Sequence, residues 1–84
     1  MYEVYLEKAA ERDLNRLDPH LFARMISQIR RLKFNPRPHG CKKLSASAND
    51  WRLRVGDYRI LYEIQDNSRV VRIIRIRHRR DVYR

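Results

Sequence analysis

The chain has 84 residues, twenty Lys and Arg against ten Asp and Glu, and a formal net charge of +10. That length sets one domain, residues 1–84, burying only about 60–65% of the surface its unfolded chain exposes, so the core is thin. Hydrophobic residues reach 43% and there are only three prolines and two glycines, which excludes a long disordered tract. No run approaches the roughly 18 apolar residues of a membrane span. The single cysteine, Cys41, can form no internal disulfide. Met1 to Leu6 already alternates like a strand and has no apolar run of signal-peptide length. Together these point to a reducing, cytoplasmic setting. The positive charge exceeds the magnitude of about 2–8 usual for small domains and attracts a polyanion: nucleic acid, an acidic protein segment or anionic lipid. Most of the cations are arginine, whose planar fork grips two phosphate oxygens at once.

In chain order, "MYEVYL" sets Tyr2, Val4 and Leu6 against Glu3 and Tyr5, an opening strand. In "EKAAERDLNRL", Ala10, Leu14 and Leu17 fall on one helical face with charge on the other. Asp18-Pro19 closes that helix and caps a second, from about Pro19 to Phe34. Its apolar stripe is Phe22, Met25, Ile26, Ile29 and Leu32. Arg30, Arg31 and Lys33 crowd its last turn, where cations favour the negative end of the helix dipole. "NPRPHGCKKLSASAND" reads as an irregular linker. His20 and His39 are expected at the surface.

Two strands meet at Gly56-Asp57 in "WRLRVGDYRILY". Trp51, Leu53 and Val55 of the first, and Tyr58, Ile60, Tyr62 and Ile64 of the second, share the core face. Arg52, Arg54 and Arg59 are left projecting from the other. After "QDNSR" turns the chain, "RVVRIIRIRHRR" is a last strand. Ile74 and Ile76 fit its core face and Arg75, Arg77 and Arg79 its open face, with Ile73 breaking the alternation. The order β-α-α-β-β-β predicts an α+β fold: an antiparallel sheet with two helices packed on one face and an arginine-rich open face. The first strand adds at an edge or at the centre.

"WRLRVGDYRILYEI" followed by "VVRIIRIRHRRDVYR" resembles the RelE branch of the RelE/ParE toxin superfamily, the toxins of type II toxin–antitoxin pairs. The likeness covers most of the chain and includes "KKL" before the variable loop. It implies a RelE-like fold, a cognate acidic antitoxin, and ribosome-dependent, metal-independent cleavage of messenger RNA in the A site, beside 16S rRNA, with no cofactor. The 2′-hydroxyl attacks the adjacent phosphate. The resemblance carries catalytic roles to Arg54, Arg59, Arg79 (with Arg77 and Arg80 as alternatives) and Tyr83. Arg52, Arg75, Arg77, Arg80, Lys42 and Lys43 are expected to hold phosphates. In the family's best-known member, lysines stand where this chain has Arg52 and Arg54.

Such cleavage needs a base for the 2′-hydroxyl proton, stabilisation of the charged transition state, and an acid for the leaving 5′-oxygen. Arginines suit the second task, and cannot in practice give up a proton. His78 is the candidate base or acid, since imidazole titrates near neutrality. Tyr83 is expected to stack on a base or orient the 2′-hydroxyl. The scattered histidines and lone cysteine form no metal-ligand pattern, and two glycines make no phosphate loop. Two other readings remain: a ParE-type inhibitor of DNA gyrase without nuclease activity, and a basic RNA-binding adaptor that does not cut.

Overall fold

The computed structural model describes residues 1–82; the candidate Tyr83 lies outside them. The elements are β1 (Glu3–Leu6), α1 (Lys8–Asn15), α2 (Pro19–Phe34), β2 (Cys41–Lys43), β3 (Asp50–Val55), β4 (Tyr58–Gln65), β5 (Val70–His78) and α3 (Arg79–Val82). Asp18 caps α2 as its sequence position implies: the carboxylate accepts from the Leu21 N–H at 2.9 Å, with Pro19 in the first turn. The buried stripe of α2 is narrower than the sequence indicates. Met25, Ile29 and Leu32 are buried, whereas Phe22 is 36% exposed at the outer margin.

The five strands run in the order β1-β5-β4-β3-β2. β5, β4, β3 and β2 pair antiparallel, but β1 pairs parallel to β5, from Glu3↔Val70 to Leu6↔Ile73. The sheet is therefore mixed, not antiparallel throughout. The reason is the connection: β1 leaves through two helices, and the chain returns far enough on to run alongside it. Two further elements escape the sequence reading. Cys41–Lys43 forms a short edge strand inside the linker, and Arg79 starts α3 instead of ending β5.

The helices cover one face. Ala10 and Leu14 of α1 and the α2 stripe pack with Leu53, Val55, Ile60, Tyr62, Ile64, Val71, Ile73 and Ile76. Burying one such Ile or Leu stabilises by roughly 1.5–3 kcal/mol. The assignment of Ile74 to this core is corrected. Leu61 pairs with Arg75 while Tyr62 pairs with Ile73, so Ile74 is the extra residue of a β-bulge. Ile73 is fully buried and Ile74 only half-buried. A run of four apolar residues interrupted by one arginine carries no period that would show the slip.

Loop 35–40 is tied to the sheet at two points. The Tyr62 hydroxyl donates to the Pro36 carbonyl at 2.8 Å. Arg37 lies over the Trp51 ring at 5.0 Å, and its guanidinium pairs with Asp66 at 2.8 Å. Trp51 thus belongs to the helix side, as its alternation implies.

Candidate anion-binding cleft

β4 is the central strand, and its open face lies between those of β3 and β5. Register then decides which cations meet. Arg54, Arg59 and Arg77 stand side by side on three adjacent strands. One step along, Lys42, Arg52, Leu61 and Arg75 form a second row. Directly opposed side chains have Cβ atoms about 4.5–5.5 Å apart, and like charges there are destabilising. Gly40, Lys42, Arg52, Arg54 and Arg59 line a cleft of about 140 Å³ with no acid among them.

Arg59 is the centre of this arrangement and differs from its sequence expectation. It faces the open side, as the alternation requires, yet is only 9% exposed. Side chains of the flanking strands and the loop at Gly40 rise around it. Its Nη1 finds no hydrogen-bond partner among the described residues. Buried polar groups are nearly always paired, and a buried cationic donor without a partner carries a desolvation cost. Arg54 is exposed and its Nε donates to the Gly56 carbonyl at 3.3 Å. Arg77 is half-buried and its Nη2 donates to the Asp81 carbonyl at 3.2 Å, which holds α3 against the sheet end. Gly56 itself has φ +60, the left-handed value that a two-residue hairpin turn demands.

Other candidates lie elsewhere. His78 pairs in register with Tyr58, on the face of Ile60 and Ile76, opposite the arginines. Its ring meets Tyr58 edge-on at 5.1 Å, and its Nδ1 accepts from the Arg80 N–H at 3.2 Å. It stabilises the start of α3 and does not reach the cleft; the alternation that puts Arg77 on the open face puts His78 on the other. Lys43 projects away from the cleft for the same reason. Arg75 is turned to α1: its Nε and Nη2 donate to Asp13 at 2.8 and 3.2 Å, and the Ile76 N–H donates to the same carboxylate at 2.9 Å. Burial alone would raise the Asp13 carboxyl, but these hydrogen bonds and the nearby cations outweigh it and hold it below the ordinary range. Arg79 and Arg80 are exposed at the rim, where the Arg79 N–H donates to the Asp57 carbonyl at 2.7 Å.

Sequence reasoning underrated two residues. Lys42 enters the cleft only because β2 exists, and three residues between a glycine turn and a polar loop give no strand signal. Asp13 is half-buried beside the apolar face of α1; an acid next to Leu14 in an amphipathic helix was the available sign. Among the described residues, no group of three or more His, Cys, Asp or Glu gathers to hold a metal ion, and no helix is long and apolar enough to cross a membrane.

Fold and site together define a small basic α+β domain that presents clustered guanidinium groups on the uncovered face of its sheet. The family model for the ParE toxin of type II toxin–antitoxin systems matches residues 4–83, and the chain belongs to this family, within the RelE/ParE superfamily. It is similar to Toxin RelG of Mycobacterium tuberculosis, 34% identical across 99% of this chain and 97% of that protein. Its fold matches the toxin–antitoxin complex RelBE2 of Mycobacterium tuberculosis, with 33% identity and a TM-score of 0.81 over 92% of this chain and 96% of that one. The archaeal RelE–RelB complex of Pyrococcus horikoshii gives 25% identity and a TM-score of 0.84 over 93% and 94%. The chain is accordingly the toxin of a type II toxin–antitoxin system.

Proposed function

We propose that this toxin is a ribosome-dependent endoribonuclease that cleaves messenger RNA in the A site. The observation that carries the reading is Arg59, a buried cation whose Nη1 has no partner among the described residues, at the head of a cleft whose described lining holds no acid. A site of that kind favours an anion that gains charge during the reaction. The 2′-hydroxyl gives up its proton as its oxygen bonds to phosphorus. The bond from phosphorus to the 5′-oxygen breaks, and that oxygen takes a proton. A 2′,3′-cyclic phosphate and a 5′-hydroxyl result. Arg59 and Arg54 are placed to donate to the non-bridging oxygens as charge develops, while Arg52 holds a neighbouring phosphate. Removing one such preorganised donor typically costs about 10²–10³ in rate. Among the described residues, Lys42 is the only cleft-lining side chain able to surrender a proton.

The partner under this reading is an acidic antitoxin. The relatives' structures are toxin–antitoxin complexes. On the outer face of α2, Phe22 and Phe34 stand 36% and 71% exposed beside Arg30 and Arg31, a surface suited to an acidic amphipathic segment.

The matching family model is that of a ParE toxin, which keeps a second reading in play: a ParE-type inhibitor of DNA gyrase without nuclease activity. One pair of assays separates the two. The protein is incubated with ribosomes programmed with a defined messenger, and the 3′ ends are mapped; gyrase supercoiling is measured in parallel. Cuts inside the A-site codon with supercoiling intact are the expected result. Blocked supercoiling without cuts would overturn the nuclease.

A further inference from the structure

Beside the arginine cleft the open face changes character. Leu44, Leu61 and Ile74 meet in a shallow hollow of about 140 Å³, bordered by Asp50, Trp51 and Tyr62. Leu61 is there by alternation, two residues past Arg59 on β4. Ile74 is there because of the bulge. Leu44 is folded over the end of the sheet, its N–H donating to the Asp50 carbonyl at 2.8 Å. Asp50 shares the open face with Arg52 and Arg54 and joins none of the ion pairs among the described residues.

Read along the strands, the face grades from cation to acid, with an apolar step between them on β4. On β3 the series is Arg54, Arg52, Asp50; on β4 it is Arg59, Leu61, Glu63, and Asp50 pairs in register with Glu63. Four residues span roughly 13 Å at about 3.3 Å each. A nucleotide has the same polarity over a similar length: an anionic phosphate, then a ring system, then a base edge carrying N–H donors. A carboxylate accepts through two oxygens. Guanine alone among the four bases offers two adjacent donors, N1–H and the 2-amino group. Adenine and cytosine set one amino group beside a ring nitrogen that repels the carboxylate, and uracil has one N–H between two carbonyls.

We propose that this hollow is a guanine site: Leu44, Leu61 and Ile74 pack against the ring, and Asp50 accepts from its Watson–Crick edge while the adjoining phosphate lies in the arginine cleft. The proposal rests on the cleft's binding a nucleic-acid phosphate and adds a base preference that the cleft alone does not supply.

The test is calorimetric titration of the full chain with the four ribonucleoside 3′-monophosphates. Guanosine 3′-monophosphate is expected to bind roughly tenfold tighter than the other three, the discrimination of one bidentate pair. Asp50→Asn should bring the four affinities to within about twofold, and Leu61→Ser should weaken all four. Arg59→Met should weaken all four while keeping the guanosine ratio. Equal affinities for the wild type, or a preference that survives Asp50→Asn, would overturn the proposal. So would unchanged nucleotide binding by Leu61→Ser together with lost binding of a partner protein, which would make the hollow a protein-docking surface. Guanosine preference without messenger cleavage would refute the nuclease and leave the base site standing. Cleavage indifferent to Asp50→Asn at every codon, with equal nucleotide affinities, would do the reverse.

Discussion

Replacing Arg59 by methionine separates site energetics from fold energetics. Arg59 is 9% exposed, has no partner for Nη1 among the described residues, and stands between Arg54 and Arg77 on the adjacent strands. Two cations about 7 Å apart repel by about 2 kcal/mol at an effective dielectric near 20, and by less toward the exposed Arg54. The unpaired buried donor adds about 1–3 kcal/mol of desolvation. Methionine keeps most of the packed stem and removes both penalties, as happens when buried charges give way to apolar residues of similar volume. The expected net gain is about 2 kcal/mol. At roughly 4–8 °C per kcal/mol for a domain of this size, Tm should rise by about 8–16 °C at low salt. A-site cleavage should fall by about 10²–10³. Inorganic phosphate should raise the Tm of the wild type and leave that of the variant unchanged. A variant less stable than the wild type by more than about 1 kcal/mol would refute the reasoning, because it would mean the Arg59 charge is compensated inside the fold. A variant that is stabilised and still cleaves at full rate would keep the energetics and remove the catalytic role.

Further outcomes follow from the same geometry. Asp13→Asn should destabilise by about 1–2 kcal/mol near neutral pH, since the carboxylate serves Arg75 and the Ile76 N–H together. The folded carboxyl lies below its ordinary value of 3.8, so its contribution is complete above that value and is lost as pH falls through the lower folded one. The urea-measured gap between variant and wild type should therefore close on acidification; a gap that stays constant would contradict the pairing. His78→Gln should cost stability modestly, within about 1 kcal/mol, and leave A-site cleavage within about threefold, far short of the Arg59 effect. Primer extension decides that point. Gly56→Ala should cost about 1–2 kcal/mol, because alanine must hold φ +60 and its Cβ would lie 3.2 Å from Arg24 Nη1; thermal unfolding measures it.

Much of the fold was written locally. The capping of α2 by Asp18, the amphipathic α1, and the alternation through Trp51–Val55 and Tyr58–Ile64 each rest on near neighbours in sequence. What stayed hidden depends on distant residues. Nothing within "VVRIIRI" says where β1 will dock or that β4 skips Ile74. The cluster of Arg52, Arg54 and Arg59 was legible because a two-residue turn fixes their register. The burial of Arg59 was not, since it comes from what rises on either side of the central strand. His78 was misplaced for an instructive reason. It was chosen for its imidazole, but a strand sends adjacent residues to opposite faces, so the alternation that carries Arg77 to the open face keeps His78 out of the cleft.

That exclusion leaves the cleft with cations and no imidazole among its lining residues. Guanidinium groups stabilise a phosphorane by charge, and they neither accept the 2′-hydroxyl proton nor lose one near neutrality. Under the proposed nuclease reading, transition-state charge stabilisation then supplies most of the acceleration, with Lys42 the one lining residue among those described that is open to proton transfer. This has a kinetic signature. Single-turnover cleavage on programmed ribosomes should quicken with pH from about 6 to 9 without the inflection near 6.5 that a histidine base gives. Lys42→Arg keeps the positive charge and removes the exchangeable proton, whereas Lys42→Ala removes both. If Lys42 moves the proton, the two variants should lose similar rate, while ribosome binding by Lys42→Arg stays near that of the wild type. If Lys42 only grips phosphate, Lys42→Arg should cleave at close to the full rate. An inflection near 6.5 that survives replacement of His20, His39 and His78 by glutamine together would place the base outside this chain, on the ribosome or the messenger itself.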